Sequence, residues 1–324
     1  MHNSLLAIAL AINCISSALA VYNLVDHYNA SNFFDEFSFF SDADPTKGFV
    51  RYLPAEEANK KSILAGYTNA PDVPATIYMG VDYETRDPEK GRDAIRVESK
   101  KVYTKGLFIA DIKHMPGSIC GSWPAFWTVG GDWPYQGEID VLEGVNDQKT
   151  NKVTLHTAPR CVMERDASTL ETSAFHTADC GQNGGFIGCG FDTDNEMSYG
   201  TAFNRIGGGV YVLEWSSSLI RVFFFPRHLI PSDILSQAPS PDPSKWGKPV
   251  AAFSGDGCDI DQHFKNHKIV FDTTFCGDWA GNVFNEVGDC KNIGMKCEDY
   301  VKSHPEVYEE SFWELNALRV YQEK

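Results

Sequence analysis

Three carboxylates fall within six residues of one another in the run Gly137-Glu138-Ile139-Asp140-Val141-Leu142-Glu143. Everything between them is Ile, Val or Leu, which favours a β-strand. A strand alternates its side chains, so Glu138 and Asp140 share one face while Ile139 and Val141 take the other. Glu143 stands five residues after Glu138, an odd offset that turns it away on a regular strand. One extra residue near Val141–Leu142, a β-bulge, returns it to the face of Glu138. A lone glutamate in an acidic chain is ordinarily a solvated surface group. Three clustered among aliphatics are a liability, because like charges weaken a strand and burying a carboxylate costs free energy. Close carboxylates also drive their pKa values apart, so that one holds a proton while the other is ionised. That pairing performs glycoside hydrolysis. One carboxylate attacks the anomeric carbon and the other protonates the leaving oxygen, with retention when the two stand about 5–5.5 Å apart.

Aromatic residues surround this run. Trp123, Phe126, Trp127, Trp133 and Tyr135 precede it, and Trp279 follows far along the chain. Indole faces stack on the apolar C–H face of a pyranose while polar neighbours bind its hydroxyls. A single Trp is more often core filling. Trp133, set between Asp132 and Pro134 after two glycines, reads as a loop residue and so as a binding one.

The elements that must position these groups read as β-strands. Alternating or β-branched runs occur at 106–113, 137–143, 152–156, 210–215, 219–225, 268–275 and 314–321, several of them closed by prolines such as Pro116 and Pro226. Segments 54–62 and 297–303 suit short helices, and the Pro- and Ser-rich stretch 232–247 reads as a surface loop. The expected architecture is all-β, one sandwich of two antiparallel sheets.

The net charge of −16 repels nucleic-acid phosphates and anionic membranes, which excludes both as partners and leaves a neutral or cationic substrate. Residues 1–20 have an uncharged stretch ending in Ala18-Leu19-Ala20, the pattern of a cleaved signal peptide too short to span a bilayer. A secreted single domain over 21–324 is therefore expected. Cys14 lies in the leader, and eight cysteines remain, an even number that implies up to four disulfides out of roughly a hundred connectivities. Spacing suggests that Cys290–Cys297 closes one small loop and that two of Cys161, Cys180 and Cys189 staple another. Asn29-Ala30-Ser31 is a glycosylation sequon.

The stretches 121–127 (GSWPAFW), 131–134 (GDWP), 137–147 (GEIDVLEGVND) and 154–157 (TLHT) resemble glycoside hydrolase family 16, in particular its secreted fungal laminarinases. The likeness continues through Gly207-Gly-Gly209, 223–227 (FFFPR), 275–281 (FCGDWAG) and 319–322 (RVYQ). It implies a concanavalin A-like jelly roll with an open cleft on its concave sheet. Glu138 then falls at the nucleophile, Glu143 at the acid/base and Asp140 at the assisting group. His156 falls at a histidine near the acid/base, and Trp127, Trp133 and Trp279 at positions that contact glucose. Arg96 resembles a substrate-contacting arginine, and the mature cysteines fall where relatives have theirs. The expected reaction is retaining endo-hydrolysis of β-1,3-glucan or mixed-linkage β-1,3/1,4-glucan by a monomer, with no cofactor. A wall-remodelling transglycosylase and a non-catalytic β-glucan lectin are the alternatives. Members often carry calcium, for which Asp192-Thr-Asp194 is too short a signature, so no metal is expected.

Overall fold

The computed structural model describes residues 22–67, 75–170 and 172–324. The expected leader and its expected cleavage point lie outside them. Two large antiparallel sheets face each other. One runs, in order of neighbours, Ala174–His176, Cys189–Asp192, Lys152–His156, Glu138–Glu143, Ser122–Gly130, His267–Phe275, Arg96–Ser99 and Phe37–Phe39. The other is built around Gly106–His114, Gly209–Trp215, Ile220–Pro226 and Trp313–Glu323. A short parallel pair, Val50–Tyr52 with Arg92–Ala94, completes the sheets found among the described residues.

Strand alternation divides the first sheet into a dry face and a wet one. Phe126, Ile139, Val153, Leu155, Ile269 and Phe271 enter the core, where the rings of Phe126 and Phe271 stack at 4.5 Å. They meet Phe108, Ala110, Ile112, Tyr211, Leu213 and Val320 of the second sheet. Each of the larger aliphatic and phenyl side chains removed from water stabilises the sandwich by about 1.5–3 kcal/mol. The second sheet is buried on its outer side as well. Leu107, Ile109, Val210, Val212, Phe223 and Phe225 pack there beneath Ile230, Ile234 and Trp246. Burial on both faces explains why its strands read as near-continuous apolar runs. It also revises the reading of 232–247. The stretch carries a short helix, Ser232–Leu235, and its Trp246 indole is tied to Asp233, so it covers a sheet face instead of looping free.

The expected helices appear at Ala55–Lys60 and Cys297–Ser303. The cysteines pair as Cys120–Cys290, Cys161–Cys258, Cys180–Cys189 and Cys276–Cys297. The expected Cys290–Cys297 bridge is wrong. The segment holding both lies across two anchor points, and each sulfur meets a cysteine at the end of a cleft strand before it meets the other. Cys180–Cys189 falls within the expected trio, while Cys161 reaches instead to Cys258. Asn29 sits in the turn after Tyr22–Tyr28, its side-chain oxygen accepting from the Ser31 amide and hydroxyl.

Candidate active site

The strand Glu138–Glu143 carries the bulge that its odd offset requires. Asp140 pairs with Trp127 and Leu142 with Phe126, so Val141 is the extra residue on this side of the ladder. Val141 and Leu142 both enter the core, and Glu143 returns to the face of Glu138 and Asp140. Asn151 clasps the bulge. Its side chain donates to the Val141 carbonyl at 2.9 Å and accepts from the Glu143 amide at 2.8 Å. Those are two of the backbone groups that a bulge leaves without ladder partners.

The three carboxylates open into a cleft of about 520 Å³. Alternation supplies its floor. Trp123, Ala125, Trp127 and Val129 come from one neighbouring strand, and Lys152, Thr154 and His156 from the other. Trp133 and Phe186 meet edge to face at the Glu138 end, with ring centroids 5.0 Å apart. At the Glu143 end, Trp279 stands edge-on to Trp123 at 5.6 Å, beneath the Lys152 ammonium at 5.3 Å. Every residue expected at the site, Arg96 included, lines this one cleft. Of the remaining aromatics expected nearby, Phe126 enters the core and Tyr135 points to solvent.

His156, expected near Glu143, lines the same cleft and its charge reaches that carboxyl. It pairs in register with Glu138, not Glu143, and its Nε2 lies 3.1 Å from Asp140 and 4.0 Å from Glu138. Its Nδ1 donates to the Gly185 carbonyl at 2.5 Å, fixing the ring. Gly188 permits that approach: a Cβ there would stand 2.8 Å from His156 Nδ1, and its φ is +72°.

Burial and neighbouring charge give the ionisable groups distinct states. Asp140 is driven well upward by burial, reinforced by the charges of Glu138 and Glu143. Burial opposes a charge on His156, but its contact with Asp140 and the charges of Glu138 and Asp140 outweigh it and push the imidazole up to about 10. The Asp140–His156 pair thus retains a proton through the neutral range. Glu143 is pushed up to about 7, chiefly by burial. The Trp123 hydrogen bond, His156 and Lys152 pull it back, while the Glu138 charge adds to the rise. At neutral pH, Glu143 therefore exists in both its acid and base forms. Glu138, Asp140 and His156 bring ligand-type atoms within 4.8 Å of one another. Asp192 is engaged by His176 at 2.6 Å.

A second network supports Trp127. Its indole donates to Asp272 at 3.0 Å, and Tyr52 donates to the other Asp272 oxygen at 3.0 Å. Arg96 lies against the Trp127 ring at 5.0 Å and the Phe40 ring at 4.4 Å while its guanidinium is held by Glu98 at 2.9 Å. Burial pushes Asp272 up to about 6, against the pull of Arg96. Sequence reading missed Asp272, Asn151 and Phe186 as site residues. Asp272 had a signal, a carboxylate within a β-branched run. Asn151 had none, since its role depends on the pairing register.

Chains of known kind share this architecture. A solved elongating family 16 β-1,3-glucosyltransferase is 42% identical, covers 93% of this chain and 100% of its own, and superposes with a TM-score of 0.84. Laminarinase 16A from Phanerochaete chrysosporium, solved with 6-O-glucosyl-laminaritriose in donor and acceptor sites, is 37% identical with a TM-score of 0.83. Its match covers 94% of this chain and 100% of its own. A probable endo-1,3(4)-β-glucanase of Aspergillus fumigatus is 44% identical over 93% of this chain. An endo-1,3(4)-β-glucanase of Arthroderma benhamiae is 41% identical over 94%. The chain spans only 45% and 65% of the lengths of these two relatives. Residues 37–321 match the family described as XgeA-like, catalytic GH16 domain, and the chain belongs to glycoside hydrolase family 16.

Proposed function

We propose that this chain hydrolyses internal bonds of β-1,3-glucan with retention, by double displacement. The observation that carries the reading is the bulge after Asp140, which turns Glu138 and Glu143 into one cleft. The Glu138 carboxylate attacks the anomeric carbon, the glycosidic C–O bond breaks, and the Glu143 proton passes to the leaving oxygen. A glycosyl ester on Glu138 results. Glu143, now a carboxylate, takes a proton from water as the water oxygen bonds to the same carbon and releases Glu138. Asp140 and the cationic His156 hold a proton beside Glu138 and orient its oxygens. Trp127, Trp133 and Trp279 stack glucose rings, and Arg96 braces Trp127. No step calls for a metal or cofactor.

The similarity to laminarinases and endo-1,3(4)-β-glucanases supports glucan as the substrate class. A second reading, transfer of the glucosyl unit to another sugar, is favoured by the similarity to a glucosyltransferase, since an acceptor hydroxyl can replace the water. The lectin reading does without the two opposed carboxylates that this cleft contains. Four disulfides fit an oxidising, extracellular setting, and no helix among the described residues is long and apolar enough to cross a membrane. Secretion of a monomer after removal of residues 1–20, with a glycan on Asn29, completes the proposal. Neither nucleic acid nor a membrane is among its partners.

The test is a reducing-sugar assay on laminarin, curdlan, lichenan and cellulose, with product lengths read by mass spectrometry. Shorter oligosaccharides from the β-1,3-glucans support hydrolysis, and products longer than the substrate support transfer. No reaction on any of the four overturns the enzymatic reading.

A further inference from the structure

Trp123 is a cleft residue whose polar atom faces Glu143, not open space. Its indole N–H donates to Glu143 Oε1 at 2.9 Å. The ring is fixed from the other side by its edge-on contact with Trp279. Trp123 therefore joins the proposed acid/base to the aromatic wall at that end of the cleft. Asn151 positions the backbone of Glu143, but among the described residues only Trp123 is hydrogen-bonded to one of its carboxyl oxygens.

We propose that Trp123 is a positioning residue for Glu143. It occupies one oxygen, Oε1, and so leaves the proton on the other, where the leaving oxygen can receive it. This rests on the assignment of Glu143 as the acid/base. A hydrogen bond donated to a carboxylate favours its charged form. The indole therefore opposes the burial that raises Glu143 and keeps the group able to release its proton. The other charged and titratable groups facing Glu143 are Glu138 and Asp140 on its own strand, Lys152 and His156 on the next, and Tyr199 packed behind Gly144. None of them supplies a neutral donor to a Glu143 oxygen in this structure.

The experiment compares the wild type with Trp123→Phe, which keeps a ring against Trp279 and removes the N–H. The Glu143 carboxyl is titrated by carbon NMR on glutamate-labelled protein. The same variant is assayed on laminari-oligosaccharides and on a dinitrophenyl laminaribioside, whose leaving group departs without a proton. Expected in Trp123→Phe are a Glu143 titration moved up by about one unit, with the alkaline limb of hydrolysis moved the same way. Turnover of oligosaccharide is expected to fall by about tenfold at unchanged KM, with little loss of kcat/KM on the activated substrate. An unmoved Glu143 titration, or equal losses on both substrates, overturns the proposal and leaves Trp123 a packing residue. The titration reads Glu143 whether or not the protein acts on glucan. Inactivity of the wild type on every glucan would therefore defeat the functional reading alone.

Discussion

The two ends of the strand Glu138–Glu143 are built from different materials. The Glu138 end is charged: a cationic His156 sits 4.0 Å away, anchored from behind by the Gly185 carbonyl. The loop that supplies Gly185 and Phe186 is stapled by Cys180–Cys189. The Glu143 end is aromatic. An indole N–H, a second indole, Lys152 and the charge of His156 set the environment of a carboxyl that burial has raised to about 7. Two carboxylates five residues apart thus receive different treatment, an anchored imidazolium beside one and an indole donor on an oxygen of the other. That is the division the proposed mechanism needs, between a group that attacks as an anion and one that carries a proton.

Removing the group at the charged end gives the largest expected effect. Glu138→Ser leaves no atom to bond the anomeric carbon, and turnover should fall by on the order of 10⁵-fold while oligosaccharide binding, measured calorimetrically, persists. Turnover near wild type would remove Glu138 from its role. At the aromatic end, Glu143→Gln keeps the shape and removes the proton. A loss of about 10³-fold on glucan is expected, and much less on the dinitrophenyl substrate. The wild-type pH profile sharpens the same contrast. In the proposed mechanism Glu143 acts first as an acid, and its acid form is lost as pH rises through its value of about 7. Glycosylation should therefore decline on the alkaline side of neutrality, and Glu143→Gln should abolish that limb. Persistence of the limb in the variant would assign it to another group.

Between the two ends lies the bulge, and Asn151 is where it can be broken. Asn151→Ala leaves a buried carbonyl and a part-buried amide without their side-chain partner, at about 1–3 kcal/mol each. Thermal unfolding should show a loss of about 2–6 kcal/mol, and activity should fall through a displaced Glu143. Unchanged stability together with full activity would show that the bulge holds without its clasp.

The contrast between the ends was only partly legible in the chain. The carboxylate pattern and its odd offset announced the bulge, because side-chain alternation is fixed by backbone geometry. Trp127, Trp133 and Trp279 were legible by type and context. The direction of His156 was not, since it follows from the pairing of Lys152–His156 with Glu138–Glu143 and not from any local pattern. Asn151 and Asp272 were hidden for the same reason: each acts on a residue of another segment. Cys290 and Cys297 misled because nearness in sequence says nothing about which strand end each sulfur meets.

The outer walls of the two ends also differ, and the smallest expected effect concerns them. Phe186 rides on a loop closed by a covalent bridge, whereas beside Trp279 the carboxylate of Asp278 meets Lys47 at 3.0 Å in an exposed pair. Exposed pairs of this kind contribute about 0–1 kcal/mol. The Asp278 amide also donates to the Thr46 carbonyl at 2.8 Å, and Cys276–Cys297 ties the preceding residues, so the loop keeps its place without the lysine. Lys47→Ala should lower the melting temperature by less than about 3 °C and leave kcat unchanged. Any rise in KM should disappear at about 1 M salt, where the Debye length is only about 3 Å. A large loss of kcat would instead mean that the pair, despite its exposure, sets the position of Trp279 and through it the aromatic end of the cleft.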